Sequence, residues 1–262
     1  LGKCLEMELE LDGIVSWVGD FFWPFLRFGA LFLASPIFGA RTVPVRVRLI
    51  LAVAVTLVIQ PTLPYLPSIE PLSTDGMFVI FQQLSIGLLI GLVMQLMFAT
   101  LVMAGQVIAT TMGLGFASAV DPQNGVQVTM LGQFYLISAT LFFLAIDGHL
   151  VLLRVLADSF VAIPISTNPI SIDIFWSIAL FAGEMFVAAV RIALPTMIGV
   201  LLVNLAFGVM TRAAPQLNIF AVGFPTTMLA GFVLMFLSLP VLSPLLTDLF
   251  FNGFSFLRLT FN

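Results

Sequence analysis

The stretch Gly113-Leu114-Gly115-Phe116-Ala117-Ser118 comes within one residue of G-x-G-x-x-G. That pattern cradles a pyrophosphate when a strand precedes it, a helix follows, and an acid stands about 20 residues on. Here a long uncharged, helix-like run precedes it, so no soluble βαβ unit can surround it, and the match is accidental. Ser159, His149 and Asp158 have the residue types of a hydrolytic triad. Their spacing is wrong, because Ser and Asp are adjacent and His falls on another helical face. The one cysteine, Cys4, allows neither an internal disulfide nor a Cys-based metal site, and one histidine leaves zinc little to bind. No catalytic residue, metal or cofactor is expected.

One group of charges needs an explanation. Asp147, Arg154 and Asp158 fall within roughly 40° of arc on a helical wheel, with an arginine between two carboxylates. Charges at membrane depth pair or face a wet cavity, so the stripe reads as a structural ion cluster or a proton relay. The wheel holds only if Gly148 leaves the helix unbroken. Glu184 and Arg191 share a face in the same way and read as structural.

The surroundings of these residues are a membrane. Of 262 residues, 61% are hydrophobic and 8% charged, against about 25% charged in soluble domains. Lipid, partner subunits or both must cover such a surface. Nine basic residues form no patch with interleaved aromatics, so nucleic-acid binding is not expected. Met7 is a candidate natural start, with residues 1–6 an upstream remnant.

Six apolar blocks follow: 14–40, 47–66, 77–120, 126–163, 170–211 and 216–262. The fold class expected is all-α, a single membrane domain over 1–262. No charge stands between Asp75 and Asp121; as one helix that run would reach roughly 68 Å, about twice a hydrocarbon core. It must fold back or project into partner protein, with Gly87, Gly91 and Gly105 as the expected bends. Arg41, Arg46 and Arg48 place the first loop in the cytoplasm, leaving the acidic N-terminus and the loop 61–76 outside. Gly87 and Gly91, like Gly115 and Ala119, suit close helix packing, within the chain or at a subunit interface.

The segment 110–125 remains. Asp121-Pro122 caps a helix or opens a type I turn, and either way the chain reverses near 121. That leaves the glycines and the exposed-looking Met112, Leu114 and Phe116 unexplained.

Three stretches resemble the FliR family, the R component of the flagellar type III protein-export gate, whose superfamily includes injectisome counterparts. Residues 24–49 carry Arg27, Pro36, Arg41, Val43-Pro44, Arg46 and Arg48. Residues 113–165 carry Asp121-Pro122, Gly148-His149, Ser159-Phe160 and Pro164. Residues 194–225 carry Arg212, Pro215-Gln216-Leu217-Asn218 and Gly223-Phe224-Pro225. Thr226 and Thr227 stand where injectisome members often carry Lys, which points to the flagellar branch.

The resemblance implies a channel subunit, assembled with FliP-like, FliQ-like and FlhB-like partners in the bacterial inner membrane. The gate is partly raised toward the periplasm within the flagellar basal body, and unfolded flagellar proteins pass through it. It implies a P-like portion, about 14–165, followed by a Q-like portion, 170–262. It also implies that the loop formed by Met112, Gly113, Leu114, Gly115, Phe116, Ala117, Ser118, Asp121 and Pro122 plugs the pore. Glycines allow such a loop to move, and Met and Phe are deformable apolar stoppers that block ions by dewetting. The rival reading is a secondary transporter of small solutes with Asp147, Arg154 and Asp158 as its coupling site.

Overall fold

Apolar runs long enough to satisfy their own backbone hydrogen bonds have one stable form away from water, the helix. In the computed structural model, residues 19–40, 42–63, 69, 71, 73–114, 118–120, 127–213 and 219–261 are described. Helix α1 spans 19–34. It is followed by α2 (Val45–Ile59), a 3-10 turn (Gln60–Thr62) and α3 (Thr74–Thr111). Strands β1 (Ser118–Val120) and β2 (Gln127–Thr129) precede α4 (Met130–Ala145), α5 (Gly148–Ala162), α6 (Ile172–Ala213) and α7 (Ile219–Phe261). The all-α expectation thus holds except for one antiparallel ribbon, Ser118 opposite Thr129 and Val120 opposite Gln127.

Four helices are long and apolar enough to cross a membrane: Val45–Thr62, Thr74–Thr111, Ile172–Arg212 and Val222–Phe261. The α4–α5 pair, bent by 69°, makes a fifth if it counts as one span. Helix α3 runs unbroken for 38 residues, so the uncharged run does not fold back between residues 74 and 111. Helices α6 and α7 are longer still, at 42 and 43 residues. Each of the three reaches roughly 57–65 Å at 1.5 Å per residue.

Two compact units divide the chain, and they interleave rather than follow one another: Leu1–Gln95 with His149–Ile178 and Phe254–Asn262, and Leu96–Gly148 with Ala179–Gly253. In the first unit α1 and α3 pack closely. A Cβ at Gly87 would strike the Arg27 carbonyl oxygen and the Ala30 methyl, and one at Gly91 the Ala34 methyl. In the second, a Cβ at Gly105 would lie 2.7 Å from Gly132. The expected bending points are therefore places of close approach within the chain: α3 needs these glycines for what crosses it. Phe98, Phe143 and Phe250 form the second unit's aromatic core, with ring centroids 5.4–5.7 Å apart.

Candidate functional site

The loop leaves α3 through Met112 and Gly113. Met112 is buried, 1% exposed, and its thioether lies against Gly231 of α7. It anchors the loop's root within the chain; the exposed part begins one residue later. Gly113 takes φ +80°, the left-handed region open to glycine. A Cβ there would also stand 3.1 Å from the Phe224 ring. Leu114 is half-buried. Gly115, Phe116 and Ala117 lie outside the described residues, as do Asp121 and Pro122.

Ser118 opens β1, and the pairing of β1 with β2 shows that the chain reverses between 120 and 127, as the Asp-Pro signal predicts. At the far end Thr129 caps α4, its Oγ1 accepting from the Gly132 backbone N–H at 3.1 Å. The loop is thus held at both roots, by a buried methionine and by a helix cap.

The charged stripe does not form. Asp147 sits in the turn between α4 and α5 at φ +55°, so it is not on the helix that carries Arg154 and Asp158. Gly148 lets this turn close, because a Cβ there would lie 2.6 Å from the Phe143 ring. Arg154 and Asp158 are both exposed on α5, and no ion pair joins them among the described residues. Glu184 and Arg191 are exposed on α6. His149 is half-buried, with Nδ1 buried and without a hydrogen-bond partner among the described residues.

The first loop is tied locally. Pro44 precedes the first turn of α2, where its missing N–H costs nothing. Arg48 donates from Nη2 to the Ala40 carbonyl, closing the turn, while Arg46 is exposed. Arg212 is exposed in the last turn of α6, where a cation complements the helix dipole. Arg41, Pro215 and Asn218 lie outside the described residues. Among the described residues no cluster of three His, Cys, Asp or Glu could hold a metal.

The residue whose role sequence reasoning missed is Arg27. It is fully buried in α1. Nε donates to Gln83 Oε1 at 2.7 Å, Nη1 to Ser159 Oγ at 3.0 Å and Nη2 to the Ile163 carbonyl at 2.9 Å. The Phe160 ring faces the guanidinium at 3.9 Å. No carboxylate joins them among the described residues, so neutral oxygens and a π face hold the cation, as a desolvated guanidinium requires. The available signal was an arginine inside an apolar helix with no acid one turn away on either side.

A family model described as bacterial export proteins, family 1, matches residues 18–253. Over 244 residues the chain is 42% identical to the flagellar biosynthetic protein FliR of Pectobacterium carotovorum subsp. carotovorum, covering 93% of each. The chain belongs to the FliR family of bacterial export proteins. It is 37% identical to FliR of Escherichia coli strain K12 over 251 residues, 96% of each chain. FliR of Bacillus subtilis strain 168 is 30% identical over 243 residues, 92% of this chain and 93% of that one. The resemblance read from residues 24–49, 113–165 and 194–225 is borne out at the level of the family, and FliR relatives cover nearly the whole chain.

Proposed function

We propose that the chain is a core subunit of the flagellar type III export gate, in the bacterial inner membrane with FliP-like, FliQ-like and FlhB-like partners. The observation that carries this reading is 42% identity to a flagellar FliR along 93% of both chains. In this reading residues 14–165 and 170–262 are the P-like and Q-like portions by sequence order. The acidic N-terminus lies outside, the loop 41–48 is cytoplasmic, and part of the gate stands toward the periplasm. Helices roughly twice as long as a hydrocarbon core is thick support that last point, since lipid cannot cover them whole.

In the gate, the loop 113–122 stops the channel when idle and yields to an unfolded chain in transit. Met112 fixes its root and Gly113 is its hinge. Leu114 and Phe116 are the apolar stoppers. Deleting residues 113–118 and measuring ion leakage through the assembled gate tests this: a leak is expected, and a closed state as tight as the original refutes the plug. Restoring swarming to a strain lacking its own FliR tests the broader reading. Against the transporter alternative stands the place of Asp147 in the turn before the helix that carries Arg154 and Asp158.

A further inference from the structure

The loop that leaves α3 is gripped by α7 at two points. Met112 fills the notch at Gly231, and the Phe224 ring lies over Gly113, its Cε2 and Cδ2 standing 3.1 and 3.2 Å from where a Cβ would be. Phe224 and Gly231 are two turns apart on one face of the helix. The two grips differ in kind. Met112 is 1% exposed and closed in, whereas Phe224 is 46% exposed, with one side on the glycine and nearly half its surface open. Simple core filling would bury the ring, as it buries Phe250 of the same helix. A left-handed glycine at the end of a helix is a common cap and needs no ring above it. The cap therefore accounts for the φ of +80° at Gly113 and leaves Phe224 unexplained.

The turn that carries Phe224 is made to yield. Pro225 lies inside the helix and has no N–H, so it gives no hydrogen bond to the turn before it. Carbonyls of that turn take hydroxyls. Thr226 Oγ1 donates to the Val222 carbonyl at 2.6 Å, and Thr227 Oγ1 to those of Gly223 at 2.9 Å and Phe224 at 3.0 Å. Back-bonding of this kind bends helices, and a proline is where a helix kinks. Gly223 weakens the same turn again, as the poorest helix former short of proline. The turn 222–225 can thus pivot while Gly231, well beyond it, keeps its methionine.

We propose that Phe224 is the releasable catch of the loop. In the closed gate its ring sits on Gly113 and holds the first torsion of the loop. When the Gly223-Phe224-Pro225 turn swings, the ring leaves the glycine and the loop is free to move, while Met112 stays seated as a fixed pivot. Phe224 is a positioning residue, acting on the channel only through Gly113. The inference rests on the reading of the loop as a stopper, and it adds the element that sets and releases it.

The test uses the full chain assembled with its partner subunits, and two measurements. Hydrogen exchange reads the amides of Met112 and Gly113, which donate to the Ile108 and Thr110 carbonyls at 3.0 and 3.1 Å. Ion leakage reads the closed state. Phe224→Ala is expected to speed exchange at these amides about tenfold or more and to raise leakage, with α4 exchange and the melting profile kept. Phe224→Tyr, which keeps the ring, should restore both. Phe224→Ala combined with deletion of 113–118 should leak no more than the deletion alone. Pro225→Ala should act in the opposite sense, slowing secretion of flagellar subunits through a gate that stays tight. Unchanged exchange at Gly113 in Phe224→Ala, equal loosening of α4, leaks that sum in the combined variant, or normal secretion by Pro225→Ala overturns the proposal. A deletion of 113–118 that leaves the gate tight sinks the stopper reading instead, and exchange alone then decides whether Phe224 holds the root.

Discussion

The side chain of Met112 fills the notch left by the missing side chain of Gly231, its Cγ, Cε and Sδ standing 2.5–2.7 Å from where a Cβ would be. A glycine on the last helix thereby holds the root of the loop at the end of α3. Gly231→Val must evict that methionine. We expect the variant to leak ions through the assembled gate, and patch-clamp or dye-influx measurement checks it. A gate as tight as the original would show that the loop keeps its place without this anchor.

Arg27 should govern the stability of the first unit. Gln83→Leu leaves Nε without an acceptor in a buried place, a loss of about 2 kcal/mol for a hydrogen bond to a charged group. Phe160→Leu removes the ring at 3.9 Å from the guanidinium, costing about 1–2 kcal/mol beyond packing. Thermal unfolding in detergent reads both. The two losses should not add, because the partners share one cation.

Two helical glycines of the first unit, Gly91 and Gly29, should behave oppositely. Gly91→Val drives a side chain into Ala34 and is expected to destabilise by about 1–3 kcal/mol, as overpacking does. Gly29 lies in α1, with nothing within 4 Å of a Cβ. Gly29→Ala should be neutral or raise stability by up to about 1 kcal/mol through helix propensity. Melting temperatures of the two variants decide it.

Asp147 separates a turn from a coupling site. Its φ of +55° favours glycine, so Asp147→Gly should stabilise the turn by about 1 kcal/mol or leave it unchanged. Secretion of flagellar subunits, assayed in the culture medium, should persist. A carboxylate that coupled ion movement would instead be indispensable, and secretion would stop.

The membrane character, the six apolar blocks and the reversal near residue 121 were legible because each depends on local composition or on a proline's fixed torsion. The stripe of Asp147, Arg154 and Asp158 misled because a wheel assumes continuity. Asp147 at positive φ, followed by Gly148 set close against the Phe143 ring, stands at the break where the chain turns by 69°. Gly87, Gly91 and Gly105 misled for a related reason. A glycine that bends a helix and one that admits a neighbour look alike in sequence, and only the neighbour's position tells them apart. The role of Arg27 was hidden by distance along the chain: its acceptors lie 56, 132 and 136 residues away, and no local pattern announces them.

That same separation constrains how the protein is made. The acceptors at Ser159 and Ile163 do not exist until more than half of the polypeptide has been translated. Until then Gln83 is the one acceptor of the three at hand for a cation that hydrocarbon rejects. The full seating of Arg27 is thus a late event of chain synthesis, completed only with the arrival of α5.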